Sequence, residues 1–332
     1  MEPRDGRPAP SGAGPPEGED VQEEDAEGHP LRAMTFDAFS RETVRVARGN
    51  VCLRRAGNGP AVLLLHGFPE TSLAWRKVAP DLATRFTLIA ADLPGYGDST
   101  LLPDAFENDR ISKRTMGGIL AEAMQELDIA QFAVVGHDRG ARVAYRMALD
   151  YPDRIRALAV LDVLPILDMA ERLTYEAARQ MGHWFWLSDS SRVPETLIGR
   201  DPDLYVRHIL EEWGSAGSIE PHVADEYVRC LRNSEVLRTM GAEYRADQLD
   251  LEHDRAARMA GRRVACPVLA LWAGGGLVEQ FGDPLAIWGQ WADRVEGGAF
   301  AGGHFLMEES PRLLAARLTS FLDPSAAGGG HH

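Results

Sequence analysis

An aspartate sits between two glycines in Gly136-His137-Asp138-Arg139-Gly140, after the apolar run Phe132-Ala133-Val134-Val135 and before the helical pattern Val143-Ala144-Tyr145-Arg146-Met147-Ala148-Leu149. Strand, tight Gly-x-nucleophile-x-Gly turn, then helix is an arrangement that exposes one reactive side chain at the top of a strand. The glycines allow the sharp turn and a close approach of helix to strand. A serine in the middle position attacks acyl carbon. A carboxylate suits displacement at a saturated carbon that carries a leaving group, which leaves an alkyl ester on Asp138. Two further residues complete a reactive set. Asp162 closes the run Leu158-Ala159-Val160-Leu161, and His304 lies in Ala301-Gly302-Gly303-His304-Phe305. An imidazole neutral near pH 7 makes His304 the general base on water, and Asp162 would fix its tautomer. Glu279, in the loop after the next strand, is a rival acid; Asp162 has the better position, directly at a strand end. The backbone N–H groups of Phe68, in His66-Gly67-Phe68-Pro69, and of Arg139 would form an oxyanion hole for the ester-hydrolysis step.

Arg139 and Arg142 narrow the substrate. They lie three residues apart on the first turn of the predicted helix and so on one side of it. One arginine beside a nucleophilic carboxylate reads as an ion pair. Two exceed what one pair requires and favour an anionic substrate, since guanidinium groups bind carboxylates through paired hydrogen bonds.

The elements that must position these residues alternate. Strand-like runs occur at 43–46, 51–54, 62–65, 87–91, 132–135, 157–161 and 268–272, with a weaker one near Ala299-Phe300. Helical patterns lie at 75–82, 112–127, 143–149 and 311–321. Val/Leu/Ala-rich strands alternating with helices predict an α/β fold, with a mostly parallel eight-stranded sheet covered on both faces. The alternation stops after Leu164-Pro165 and resumes at Val268. The helical stretch between, 166–263, is expected as a cap inserted after the sixth strand, closing over the strand ends where open α/β sheets bind ligands. The core domain is then 33–165 with 264–323.

Composition excludes other classes. The 332-residue chain carries a formal charge of −15, which argues against a nucleic-acid partner. Residues 1–32 hold nine acidic and three basic residues with almost no large apolar ones, and read as a disordered acidic tail without a signal-peptide core. Residues 324–332 read as a linker and partial tag. The three cysteines show no metal-ligand or disulfide spacing, which fits a reduced, cytoplasmic setting. No apolar run approaches the roughly 18 residues of a membrane span.

The order nucleophile, acid, histidine is that of the α/β-hydrolases. Within that superfamily the chain resembles the fluoroacetate (haloacetate) dehalogenases. The matching stretches are Leu65-His66-Gly67-Phe68-Pro69-Glu70, Ala91-Asp92-Leu93-Pro94-Gly95-Tyr96-Gly97, Gly136 through Arg142, Val160-Leu161-Asp162-Val163-Leu164-Pro165, His183-Trp184, Glu252-His253-Asp254 and Gly303-His304-Phe305. The resemblance implies nucleophile Asp138, base His304, acid Asp162 and carboxylate-binding Arg139 and Arg142. It implies a halide pocket of His, Trp and Tyr, matched by His183, Trp184 and, as the best tyrosine, Tyr227. It also implies a homodimer, a small haloacid substrate, and no cofactor or metal. Epoxide hydrolysis by the same aspartate is the alternative. It needs two cap phenols from among Tyr175, Tyr205, Tyr227 and Tyr244, and relatives of that kind usually carry Trp at position 139.

Overall fold

The protein is described here from a computed structural model covering residues 35–323; the expected tail at 1–32 and the expected linker at 324–332 lie outside the described residues. Nine strands form one sheet: β1 (Ser40–Val46), β2 (Gly49–Ala56), β3 (Ala61–Leu65), β4 (Thr87–Ala91), β5 (Thr100–Leu101), β6 (Phe132–His137), β7 (Ile155–Leu161), β8 (Val268–Ala273) and β9 (Val295–Phe300). The order is β1-β2-β4-β3-β6-β7-β8-β9, with β5 paired to β2. Pairings from β4 through β9 are parallel, and β2 runs antiparallel to its neighbours. Eight strands make the main path, as expected. The two-residue β5, too short to show a period, is the ninth and makes β7 the seventh strand in chain order.

The inner strands are buried on both faces, and their alternation shows why they read as continuous apolar runs. In β6, Phe132 and Val134 join one core, while Ala133 and Val135 join the other. In β3, Leu63 and Leu65 face the first core and Val62 and Leu64 the second. The first core packs under the helices Lys113–Glu126 and Asp138–Asp150 through Ile119, Leu120, Val143 and Met147. The second packs under Pro311–Leu322 through Leu314 and Leu318. Each such side chain contributes about 1.5–3 kcal/mol on burial.

Between β7 and β8 runs a series of helices from Ile166–Glu171 to Asp247–Met259, the segment expected to be helical. Its aromatic and aliphatic residues, among them Val206, Tyr227 and Tyr244, join the first core. β6 leads directly into the helix Asp138–Asp150 at Asp138, which has a left-handed φ of 46°. The turn closes only because its flanks lack side chains. A Cβ on Gly140 would lie 2.6 Å from the Leu65 carbonyl oxygen, and one on Gly136 would lie 2.6 Å from the Ala141 nitrogen.

Candidate active site

The positive φ at Asp138 is a conformation that non-glycine residues rarely adopt, and the close packing of strand and helix around it holds it there. Asp138 Oδ1 accepts the Phe68 N–H at 2.9 Å, and Oδ2 lies 4.0 Å from His304 Nε2, too far for a direct hydrogen bond. The Arg139 N–H belongs to the first turn of the helix Asp138–Asp150, whose N–H groups have no partner inside the helix. The Phe68 N–H thus meets the Asp138 carboxylate, and Arg139 follows it in the first turn of the helix.

His304 Nδ1 donates to Asp162 Oδ2 at 2.6 Å, and Asp162 Oδ1 accepts the Ala273 N–H at 3.0 Å. Asp162 also has a left-handed φ, 53°. Glu279 accepts instead from Trp272 Nε1 at 2.7 Å and the Gly275 N–H at 3.0 Å. The geometry therefore joins His304 to Asp162 rather than to Glu279. Beneath the site His137 Nε2 donates to the His304 carbonyl at 2.9 Å, and its Nδ1 meets buried Glu70 Oε2 at 2.9 Å.

Charges reinforce one another here. Burial opposes the negative charge on Asp138, but His304, His137, Arg139 and the Phe68 N–H outweigh it and bring its pKa down to about 2. Burial likewise opposes the charge on His304. Its hydrogen bond to Asp162 and the charges of Asp162, Asp138 and Glu70 outweigh that and raise it to about 9.

A cavity of about 520 Å³ opens over this set. Asp138, Asp162 and His304 line it together with Arg142, His183 and Trp184. The two arginines prove unequal. Arg139 Nε donates to Glu243 at 2.8 Å and its Nη2 to Asp247 at 3.0 Å, both carboxylates belonging to the helical insert, and its guanidinium lies 3.9 Å from the Tyr244 ring centroid. Lys113, also buried, joins the same cluster through Glu243 and Asp250. Among the described residues no carboxylate lies within ion-pair distance of Arg142. Nη2 approaches Met169 Sδ at 3.0 Å, and its buried Nε and Nη1 have no protein partner among the described residues. Burial, then the neighbouring Arg139 charge, holds its pKa below the usual arginine value.

His183 and Trp184 lie where expected, on the helix Gly182–Leu187. The Arg142 guanidinium sits 4.5 Å from the Trp184 ring centroid, and burial lowers the His183 pKa to about 4, which keeps the imidazole neutral. Tyr227 is a correction. It is fully buried among Glu70, Glu308 and Arg76, away from the residues lining the cavity. Tyr244 takes the place next to the site. Its ring is 6.4 Å from His183 and 5.8 Å from Phe68, and burial, with the nearby Asp138 and Glu243 charges, pushes its phenol pKa well up. Both tyrosines sit in amphipathic helices of similar composition, so nothing local distinguished them. Among the described residues Cys52, Asp92 and Asp98 are the one cluster with metal-ligand spacing. It does not fit an ion, because Asp98 is paired with Arg41 and Arg229, and Asp92 accepts two backbone N–H groups.

A nucleophile elbow on a parallel sheet, an acid after β7 and a histidine after β9 define an α/β-hydrolase. The chain belongs to that family, which it matches over residues 60–311 under the description "alpha/beta hydrolase fold". It is 36% identical to a fluoroacetate dehalogenase of Burkholderia sp. across 88% of this chain and 97% of that protein. It is 32% identical to a soluble epoxide hydrolase of Corynebacterium sp. across 81% of this chain and 92% of that one. Among solved structures, a Nostoc sp. protein classed with the α/β-hydrolases superposes with a TM-score of 0.82 at 41% identity, covering 87% of this chain and 99% of that one. Among the described residues no helix is long and apolar enough to cross a membrane.

Proposed function

We propose that this hydrolase cleaves the carbon–halogen bond of short 2-haloacids, with fluoroacetate among its substrates. The observation that carries the reading is the unpaired, buried guanidinium of Arg142 beside Asp138 in one cavity. A buried cation without a counter-ion is costly, and a substrate carboxylate supplies what is missing. Arg139, with Nη1 still unpaired, adds a second donor. The helical insert serves as the cap.

Asp138 Oδ1 is held by the Phe68 N–H, which leaves Oδ2 as the attacking atom. Oδ2 bonds to the carbon bearing the halogen, on the side opposite it, and the carbon–halogen pair departs as halide. His183, Trp184 and Tyr244 each carry an N–H or O–H suited to a small, strongly hydrated anion in a dry site. Water then attacks the Asp138 ester carbonyl. His304 Nε2 takes its proton while Nδ1 stays on Asp162, and the Phe68 and Arg139 N–H groups receive the oxyanion. The hydroxy acid leaves and Asp138 is restored. A homodimer in the cytoplasm, with three buried free cysteines, belongs to the same reading.

Epoxide hydrolysis is the second reading. Tyr205 and Tyr244 both pack on Phe68, with ring centroids 6.3 and 5.8 Å away, and two phenols are what epoxide opening requires. That reading leaves Arg142 without a role.

Fluoride and chloride release from fluoroacetate and chloroacetate, with Asp138→Asn alongside, tests the proposal. Fluoride release that the substitution abolishes is the expected result. Chloride alone would keep the haloacid reading and remove fluoride from it. No halide from either acid, with turnover of an epoxide, would transfer the assignment to the second reading.

A further inference from the structure

Glu309 follows the catalytic histidine by five residues, and four donors converge on its carboxylate. Oε2 accepts the Gly303 N–H at 2.6 Å, the Ser215 N–H at 3.2 Å and the Ser215 hydroxyl, and Oε1 accepts the Phe305 N–H at 3.2 Å. Two of these are the backbone N–H groups of the residues on either side of His304. The other two belong to the segment that follows the insert helix Pro202–Trp213. The peptide N–H of His304 itself donates to the Trp213 carbonyl at 2.9 Å, and the Trp213 ring stands edge-on to the imidazole at 5.6 Å. The packing leaves no slack. A Cβ on Gly303 would lie 2.8 Å from the Trp213 carbonyl oxygen and 2.9 Å from Glu309 Oε1, which accounts for the glycine before the histidine.

Hydrogen bonds to an ionised acceptor are about twice as strong as neutral ones. A single carboxylate thus fixes the backbone of the base loop and ties it to the insert. The proposed base needs this constraint. His304 reaches Asp162 through one short hydrogen bond, and its Nε2 stops 4.0 Å from Asp138, so a small rotation of the loop changes both distances.

We infer that Glu309 is a positioning residue for the ester-hydrolysis half of the reaction: it holds the backbone N–H groups of Gly303 and Phe305, the residues on either side of His304, and braces them against Ser215 of the insert. The inference rests on the two-step reaction proposed above, and one of its tests needs no substrate. Glu309→Gln keeps one oxygen acceptor but turns an amide toward N–H donors, which loosens the loop without deleting volume.

The first readout is the titration of His304 by NMR in the ligand-free protein. The titratable groups facing that ring are Asp162, Asp138, Glu70, His137 and, from the insert, His183. Loosening the Asp162 contact is expected to lower the midpoint by about one unit in Glu309→Gln. The second readout is rapid-mixing chloride release from chloroacetate. The variant is expected to release one chloride per site at the wild-type rate and then turn over about tenfold more slowly or worse, because only the second step needs the base in place. Absence of halide release from the wild-type protein would sink the functional reading, while the titration would still decide the role of Glu309. An unchanged His304 midpoint, or equal slowing of both phases, would overturn the inference. If Glu309→Gln does not fold, Ser215→Ala removes only the hydroxyl from the exposed brace and leaves the Ser215 N–H bond in place. It is expected to shift the midpoint in the same direction by less, and no shift would refute the bracing role of the Ser215 hydroxyl.

Discussion

Asp138 and His304 hold each other in their charged forms, and this sets the order of proton events. In the free protein the carboxyl is ionised down to about pH 2, and the imidazole keeps its proton to about pH 9. A protonated His304 cannot act as a base. In the proposed reaction, esterification of Asp138 would remove one of the negative charges that raise the imidazole, so its pKa would fall as the base is needed. The basic form should therefore emerge in the intermediate at lower pH than in the free protein. We expect kcat to rise with pH along a limb centred below about 9, and the His304 midpoint measured by NMR to fall in Asp138→Asn. A kcat limb at or above 9 would contradict this order. The same linkage bears on stability. His304, with its raised pKa, adds stability that is fully present below about 6.5 and is lost as pH rises through about 9.

At the scale of elements, one helix carries two arginines that other elements have made different. Both project from Asp138–Asp150, but the insert helices Ser234–Arg245 and Asp247–Met259 bring Glu243 and Asp247 onto Arg139 alone. Two losses should follow. Arg142→Met removes the free guanidinium and is expected to raise KM for haloacids about tenfold to a hundredfold, the worth of one charge-assisted hydrogen bond, about 1.5–3 kcal/mol. Arg139→Met removes one of the two cations paired with Glu243 and Asp247, leaving them Lys113, and is expected to cost about 3–5 kcal/mol of stability, read by urea unfolding. Equal KM effects with no stability loss at Arg139 would mean that the two arginines act alike.

At the scale of the molecule, the insert is stitched to the core through buried charge and through Ser215 and Trp213, yet it exposes several large apolar side chains. Tyr175 is 73% exposed, Phe185 54%, Leu197 55% and Leu204 69%. Scattered exposed apolar residues are ordinary, but these belong to one stretch of sequence. The proposed homodimer would cover them. Sedimentation should find a dimer, and Phe185→Glu with Leu204→Glu should shift it toward monomer while halide release persists in the monomer. A monomeric wild-type protein would refute the assembly.

Much of this was legible in the residues alone. The strands showed as apolar runs because burial on both faces removes the polar alternation. The elbow was legible because a turn this tight requires glycines at fixed offsets around the reactive residue. Asp162 and His304 were legible because each closes or follows a strand. The weak signal of β9 has a local cause, since Val295-Glu296-Gly297-Gly298-Ala299-Phe300 is rich in glycine. Contacts between distant segments carry no such pattern. That Tyr244 rather than Tyr227 flanks His183, that Arg139 is paired while Arg142 is free, and that Glu309 reaches Ser215 all depend on how the insert packs against the sheet. Local backbone chemistry writes itself into spacing. Which side chain meets which between segments far apart in the chain is decided only when the chain has folded.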